Sequence, residues 1–173
     1  PVVRGALRAS AEVGGAVDTW RRAPLQVLAR LHVLAATDLA EPDTLGRPAG
    51  GAEIARRLDQ IATLVTTDSA GPAVVLAAVV HGELLSLSAF GTADGIVARA
   101  ASRLCLIGRG LDPKAVSVPE VGHLELASEY AEGLAGYRSG EPAGVAAWLR
   151  HCCAAVSLGA REGLAVCAAV ERG

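Results

Sequence analysis

Residues 88–95, Ser88-Ala-Phe-Gly-Thr-Ala-Asp-Gly95, form the stretch whose types and spacing bear most on chemistry. They stand between two strongly helical segments, so the second helix begins inside this loop. A helix N-terminus offers unpaired backbone N–H groups and the positive end of a dipole, and glycine lets a ligand approach the backbone closely. That combination suits a phosphate. The plain alternative is an interhelix turn capped by Thr92 or Asp94. His81 and Glu83 lie upstream on the preceding helix. There His81 reads as a core histidine and Glu83 as a solvent-facing carboxylate.

Other reactive types carry less. His32, His123 and His151 have no carboxylates at ligand spacing, so no metal site is expected. Glu129 and Glu132 flank Tyr130 as a solvated face. Cys105, Cys152, Cys153 and Cys167 form no Cys-x-x-Cys pair. They read as small buried hydrophobes of a reducing compartment. No Gly-x-Ser-x-Gly, Walker or Gly-x-Gly-x-x-Gly pattern is present.

The positioning elements follow from helical periodicity. Helices are expected over about 2–19, interrupted by Gly5, Gly14 and Gly15, then over 24–39, with Pro24 in the first turn, and over 52–66. A Pro/Gly-rich loop spans 41–51, and Asp68-Ser-Ala-Gly71 breaks the third helix. The segment 72–87 is apolar on nearly every face, which marks the buried central helix. The next helix runs from Asp94 to about Arg109, ended by Gly110 with Pro113 beyond. Residues 114–123 read as extended or irregular. Two further helices cover 128–137 and 143–167, the last bent or broken at Gly159 and Gly163. Period-two alternation is nowhere sustained. The fold class is therefore all-α: a single domain over 1–173, built as a helical bundle in which a buried central helix is followed by a loop and a second core helix.

Composition agrees. Of 173 residues, 35 are alanine and 3% are aromatic, so leucine, valine and alanine must build the core. Net charge is −2, with 8 basic and 9 acidic residues in 1–86 and the same in 87–173. No basic patch exists to bind nucleic acid. The longest uninterrupted apolar stretches fall well short of the ~20 residues of a membrane span, and no signal-peptide pattern opens the chain. A cytoplasmic protein is expected. Methionine is absent, so a fragment or processed product with an N-terminal piece missing is expected as well.

The stretch from His81 to Arg99 resembles the core of the Fic (filamentation induced by cAMP) family. That family has a helix carrying a His, then Ile-His-Pro-Phe, an acidic residue, Gly-Asn-Gly-Arg, and a second Arg three residues on. Leu87 takes the Ile position, Phe90 the Phe, Gly95 the second Gly and Arg99 the second Arg, while His81 stands where the upstream His does. The likeness is good over 72–113 and fainter to about 165, through Tyr130 and the Arg138-Ser-Gly-Glu141 turn. The family implies an enzyme that transfers AMP from ATP to a protein hydroxyl.

The departures imply that this copy has lost the reaction. The resemblance assigns the motif His the role of base. Ser88 stands there, without a nitrogen that titrates near neutrality. Thr92 replaces the acidic Mg²⁺ anchor, and a neutral hydroxyl holds a hard cation poorly. Ala93 replaces the first Gly, Asp94 the Asn and Ile96 the first Arg, so the resemblance leaves Gly95, Arg99 and Arg103 as the residues of its phosphate-handling set. Asp94 sets negative charge where phosphates would lie, and Ala93 resists the positive φ that glycine adopts. The family's inhibitory helix has its nearest counterpart in Ala9-Ser-Ala-Glu-Val-Gly14, with Val13 in place of Glu and Glu12 one position off. Its target-docking flap falls between Leu39 and Ile54 without a strand pattern. The expectation is a pseudoenzyme acting by protein binding, with no cofactor, no nucleic acid and no membrane, and able to self-associate. The alternative is a remodelled transferase using ATP with Mg²⁺, with Asp94 or His81 as base and Arg99 on a phosphate.

Overall fold

The computed structural model describes residues 1–67 and 71–172. Eight helices and no strand occur among them: α1 (Val2–Trp20), α2 (Pro24–Ala36), α3 (Ala52–Thr66), α4 (Ala73–Leu87), α5 (Asp94–Gly108), α6 (Pro119–Glu125), α7 (Ala127–Ser139) and α8 (Pro142–Arg172). The protein is an all-α bundle. The break read at 68–71 falls largely on residues 68–70, outside the described residues.

Helix α4 is the axis of the fold, as its all-round apolar sequence requires. It packs against α3, α5, α7 and α8, while α1 packs on α2 and α5. The larger core gathers Val13, Trp20, Leu28, Leu31, Val80 and Leu104 with their neighbours. A smaller core joins Ala78 of α4 to Trp148 and Cys152 of α8. There the Trp148 indole N–H donates to the Ala78 carbonyl at 2.8 Å, so the buried ring leaves no polar atom unpaired.

Helix α5 ends in a Schellman motif. Gly110 takes φ +76°, its N–H donates to the Ile107 carbonyl, and the Leu111 N–H donates to Leu106. This is the end that Gly110 and Pro113 predict.

Four expectations need correction. Helix α1 runs unbroken through Gly5, Gly14 and Gly15. Gly5 is required by packing, since a Cβ there would lie 2.1 Å from the Ala35 carbonyl oxygen. Helix α8 likewise continues through Gly159 and Gly163, whose bare Cα atoms let the backbone of 116–119 cross it. Residues 119–125 form a short helix that Pro119 starts, where an irregular segment is expected. Cys105 and Cys152 are buried, but Cys153 and Cys167 are exposed, because they line an open groove between α8 and the 111–117 segment.

Helix α8 also contains a window long and apolar enough, by length and composition, to cross a membrane. A search for unbroken apolar runs misses it, because glycine, serine and isolated charges interrupt the sequence. The helix packs on α4, α6 and α7.

Candidate functional site

The loop between α4 and α5 is built from left-handed residues. Ser88 ends α4 with φ 45°, ψ 49°, Gly91 has φ 69°, and Ala93 precedes α5 with φ 57°, ψ 14°. Ala93 thus adopts the conformation that its Cβ was expected to resist. The chain accepts the strain because Phe90 anchors the loop from below. Phe90 is buried and stacks on His32 of α2 with ring centroids 4.3 Å apart. His32 is itself fully buried. Its Nδ1 accepts the Gly46 N–H at 2.9 Å, which places the proton of the neutral ring on Nε2. Burial lowers the His32 pKa, partly opposed by the nearby Asp94 carboxylate.

Asp94 turns back into this loop. Its carboxylate accepts the Phe90 N–H at 3.0 Å. Burial raises its pKa, against the backbone N–H groups of Phe90, Gly91 and Asp94 itself, which favour the charged form. Backbone N–H groups of the turn thus converge on a carboxylate of the chain itself. Ser88 is exposed, and its hydroxyl donates to the Leu85 carbonyl at 3.2 Å. Thr92 is half-buried, Leu87 packs on the core, and Ile96 is buried in it. The 41–51 segment contains turns and no strand, yet it is tied to the loop: the Ala49 N–H donates to the Ala89 carbonyl at 2.6 Å.

Arg99 and Arg103 are brought together elsewhere. With Ser10, Glu120 and apolar side chains of α1, they line a cavity of about 340 Å³ between α1, α5 and the segment entering α6. Arg103 donates to the Ser10 hydroxyl at 3.0 Å and stands 4.0 Å from Glu120. The Arg99 guanidinium folds over Gly95, whose missing side chain leaves it room. No carboxylate lies within ion-pair distance of Arg99 among the described residues. Ser88, Thr92 and Asp94 do not line this cavity. Val13 is buried, and Glu12 pairs with Arg30 of α2 at 3.5 Å, away from both arginines.

His81 belongs to a third arrangement. Its ring is fully buried, and its Nε2 lies 3.1 Å from the Tyr130 hydroxyl. Trp148 and His123 pack edge-on against it, and His123 Nδ1 meets His151 Nε2 at 2.9 Å. Burial lowers the pKa of all three histidines, with that of His123 falling to about 4. Neighbouring histidines and Arg99 depress His81 and His123 further. No group of three or more His, Cys, Asp or Glu is placed to hold a metal ion among the described residues.

Two of these features are hard to find in the sequence. The cluster joins residues 81, 123, 130 and 151, whose separations carry no periodic signal. Glu83, expected to face water, instead accepts the Tyr137 hydroxyl at 2.8 Å and pairs with Arg57, which ties α3, α4 and α7 together. Burial and the Glu83 carboxylate push the Tyr137 phenol up. Glu129 and Glu132 are exposed, in line with their sequence reading.

Compared with protein-family models, with curated proteins and with solved structures, the chain finds no match.

Proposed function

We propose that this chain is a Fic-like pseudoenzyme that acts by binding a protein partner. One observation carries the reading: the Asp94 carboxylate occupies the backbone N–H groups of the turn where a nucleotide phosphate would have to lie. A second anion there meets like charge, and the Phe90 N–H is already taken. The residues do not fit a Mg²⁺–triphosphate. The only carboxylate in the loop is spent on backbone donors, and Thr92 supplies a neutral hydroxyl. Among the described residues the Ser88 hydroxyl donates to the Leu85 carbonyl and is not hydrogen-bonded to a histidine or carboxylate that could serve as its base.

Calorimetric titration with ATP, ADP and AMP, with and without Mg²⁺, tests this. The expected result is no heat up to millimolar nucleotide. Asp94→Asn keeps an acceptor for the Phe90 N–H while removing the charge, so weak phosphate binding should appear in that variant alone. Micromolar binding by the unsubstituted protein, abolished by Arg99→Ala, would overturn the reading.

A remodelled transferase is the second reading, and Arg99 favours it, as a half-buried cation without a carboxylate partner beside a cavity. Its choice of base is narrow, because His81 has no exposed surface. Turnover that fails in both Asp94→Asn and Arg99→Ala would support it.

A further inference from the structure

Helix α8 carries an exposed stripe that nothing in the bundle covers. Arg150, Cys153, Ser157, Ala160, Leu164 and Cys167 follow one another at three- and four-residue steps, with Glu171 next, and all are exposed. From Cys153 to Cys167 the stripe forms one wall of a groove of about 470 Å³, and Leu111 and Val116 stand on the other wall. Leu164 is 70% exposed and Leu111 55%, so the groove presents large apolar side chains to water.

We infer that this groove is filled by the same face of a second copy of the chain, with the two α8 helices packed antiparallel about a two-fold axis at Ala160. The inference does not depend on the Fic-like reading. The stripe is self-complementary in that register and not in its neighbours. Residues whose numbers sum to about 320 face each other. Leu164 then meets Val156 of the second copy, and Cys153 meets Cys167 of the second copy. Arg150 comes within one residue step of Glu171 of the second copy, and the symmetry repeats each pairing. The smallest side chain, Ala160, sits on the axis, where the helices come closest. Moving the axis to Ser157 sets Arg150 against Leu164 and Glu171 against Ala143, which leaves both charges unmatched. A bilayer would also cover the apolar residues, but Arg150 and Glu171 close opposite ends of one exposed stripe, where an antiparallel second copy sets each beside an opposite charge. That charge pattern favours a protein surface of the same sequence.

Sedimentation and light scattering should give a dimer at micromolar concentration. Leu164→Arg, an exposed position whose fold is checked by circular dichroism, should give a monomer. Arg150→Glu and Glu171→Arg should each weaken the dimer about three- to tenfold, and the double swap should restore it. Thiols fix the register. Diamide, which takes two electrons and two protons per disulfide formed, should link the dimer through Cys153 and Cys167. Neither Cys153→Ser nor Cys167→Ser alone should cross-link, because like cysteines lie ~21 Å apart along the axis at 1.5 Å per residue. An equimolar mixture of the two variants should cross-link. A monomeric chain at 100 µM overturns the inference. So does cross-linking that persists in a single variant, or a monomer that co-sediments with vesicles of phosphatidylcholine and phosphatidylglycerol.

Discussion

Ala93 holds φ 57° immediately before α5, where a non-glycine residue costs roughly 1–3 kcal/mol. Ala93→Gly removes that strain and adds backbone entropy to the unfolded chain, worth about 0.4–1 kcal/mol in the other direction. The expected balance is a gain of about 1 kcal/mol, seen as a rise of ~2–4 °C in melting temperature. A loss would show that the αL geometry is not adopted. The sequence exposes this position clearly, since the resemblance places glycine there. It does not reveal that Phe90 and His32 hold the loop firmly enough for alanine to comply. Nor does it reveal that Asp94 turns inward: an acidic residue at a helix start reads equally well as a cap facing solvent. Its direction depends on which N–H groups the loop leaves free.

Among the elements, α4 and α5 are legible because their signals are long and redundant: an apolar run of two turns or more, then Gly110 and Pro113 in stop order. Helix α6 has seven residues, too few for periodicity to register, and only Pro119 hints at it. The glycines mislead because one residue type serves opposite ends. Gly15 of α1 has open space around it, whereas a Cβ at Gly159 of α8 would lie 2.5 Å from the Val118 backbone. Gly15→Ala should therefore stabilise the protein by up to about 1 kcal/mol through helix propensity. Gly159→Ala should destabilise it by about 1–3 kcal/mol through overpacking. Paired thermal or urea melts check both signs. Equal effects from the two substitutions would deny the close crossing of α8 by residues 116–119.

At the scale of the whole molecule, the buried histidines set an acid limit. His81, His123 and His151 are all held below the usual value, so the unfolded chain binds more protons than the folded one once pH drops beneath about 6.5. Stability contributed by the neutral rings is complete above that pH. It is lost progressively as pH falls toward 4, the value to which His123 is depressed. Urea midpoints measured from pH 8 to pH 4 should drop through this window, and His123→Gln should flatten the slope. An unchanged slope in that variant would place the acid sensitivity elsewhere. None of this is legible from one residue at a time, because His81, His123 and His151 become neighbours only when α4, α6 and α8 meet.

Helix α4 contributes Val80 and Leu84 to the larger core and Ala78 to the smaller one, within two turns of a single helix. The two cores therefore share a wall and do not abut as separate blocks. A local opening of α7 and α8 strips Trp148 from Ala78 and bares one side of α4, whose other side is the seat of α5. The halves of the bundle are linked like two rooms hung on one beam, and neither can lose its structure without loosening the other. Unfolding should thus be a single cooperative event, with α4 the last element to surrender its amide protons to solvent.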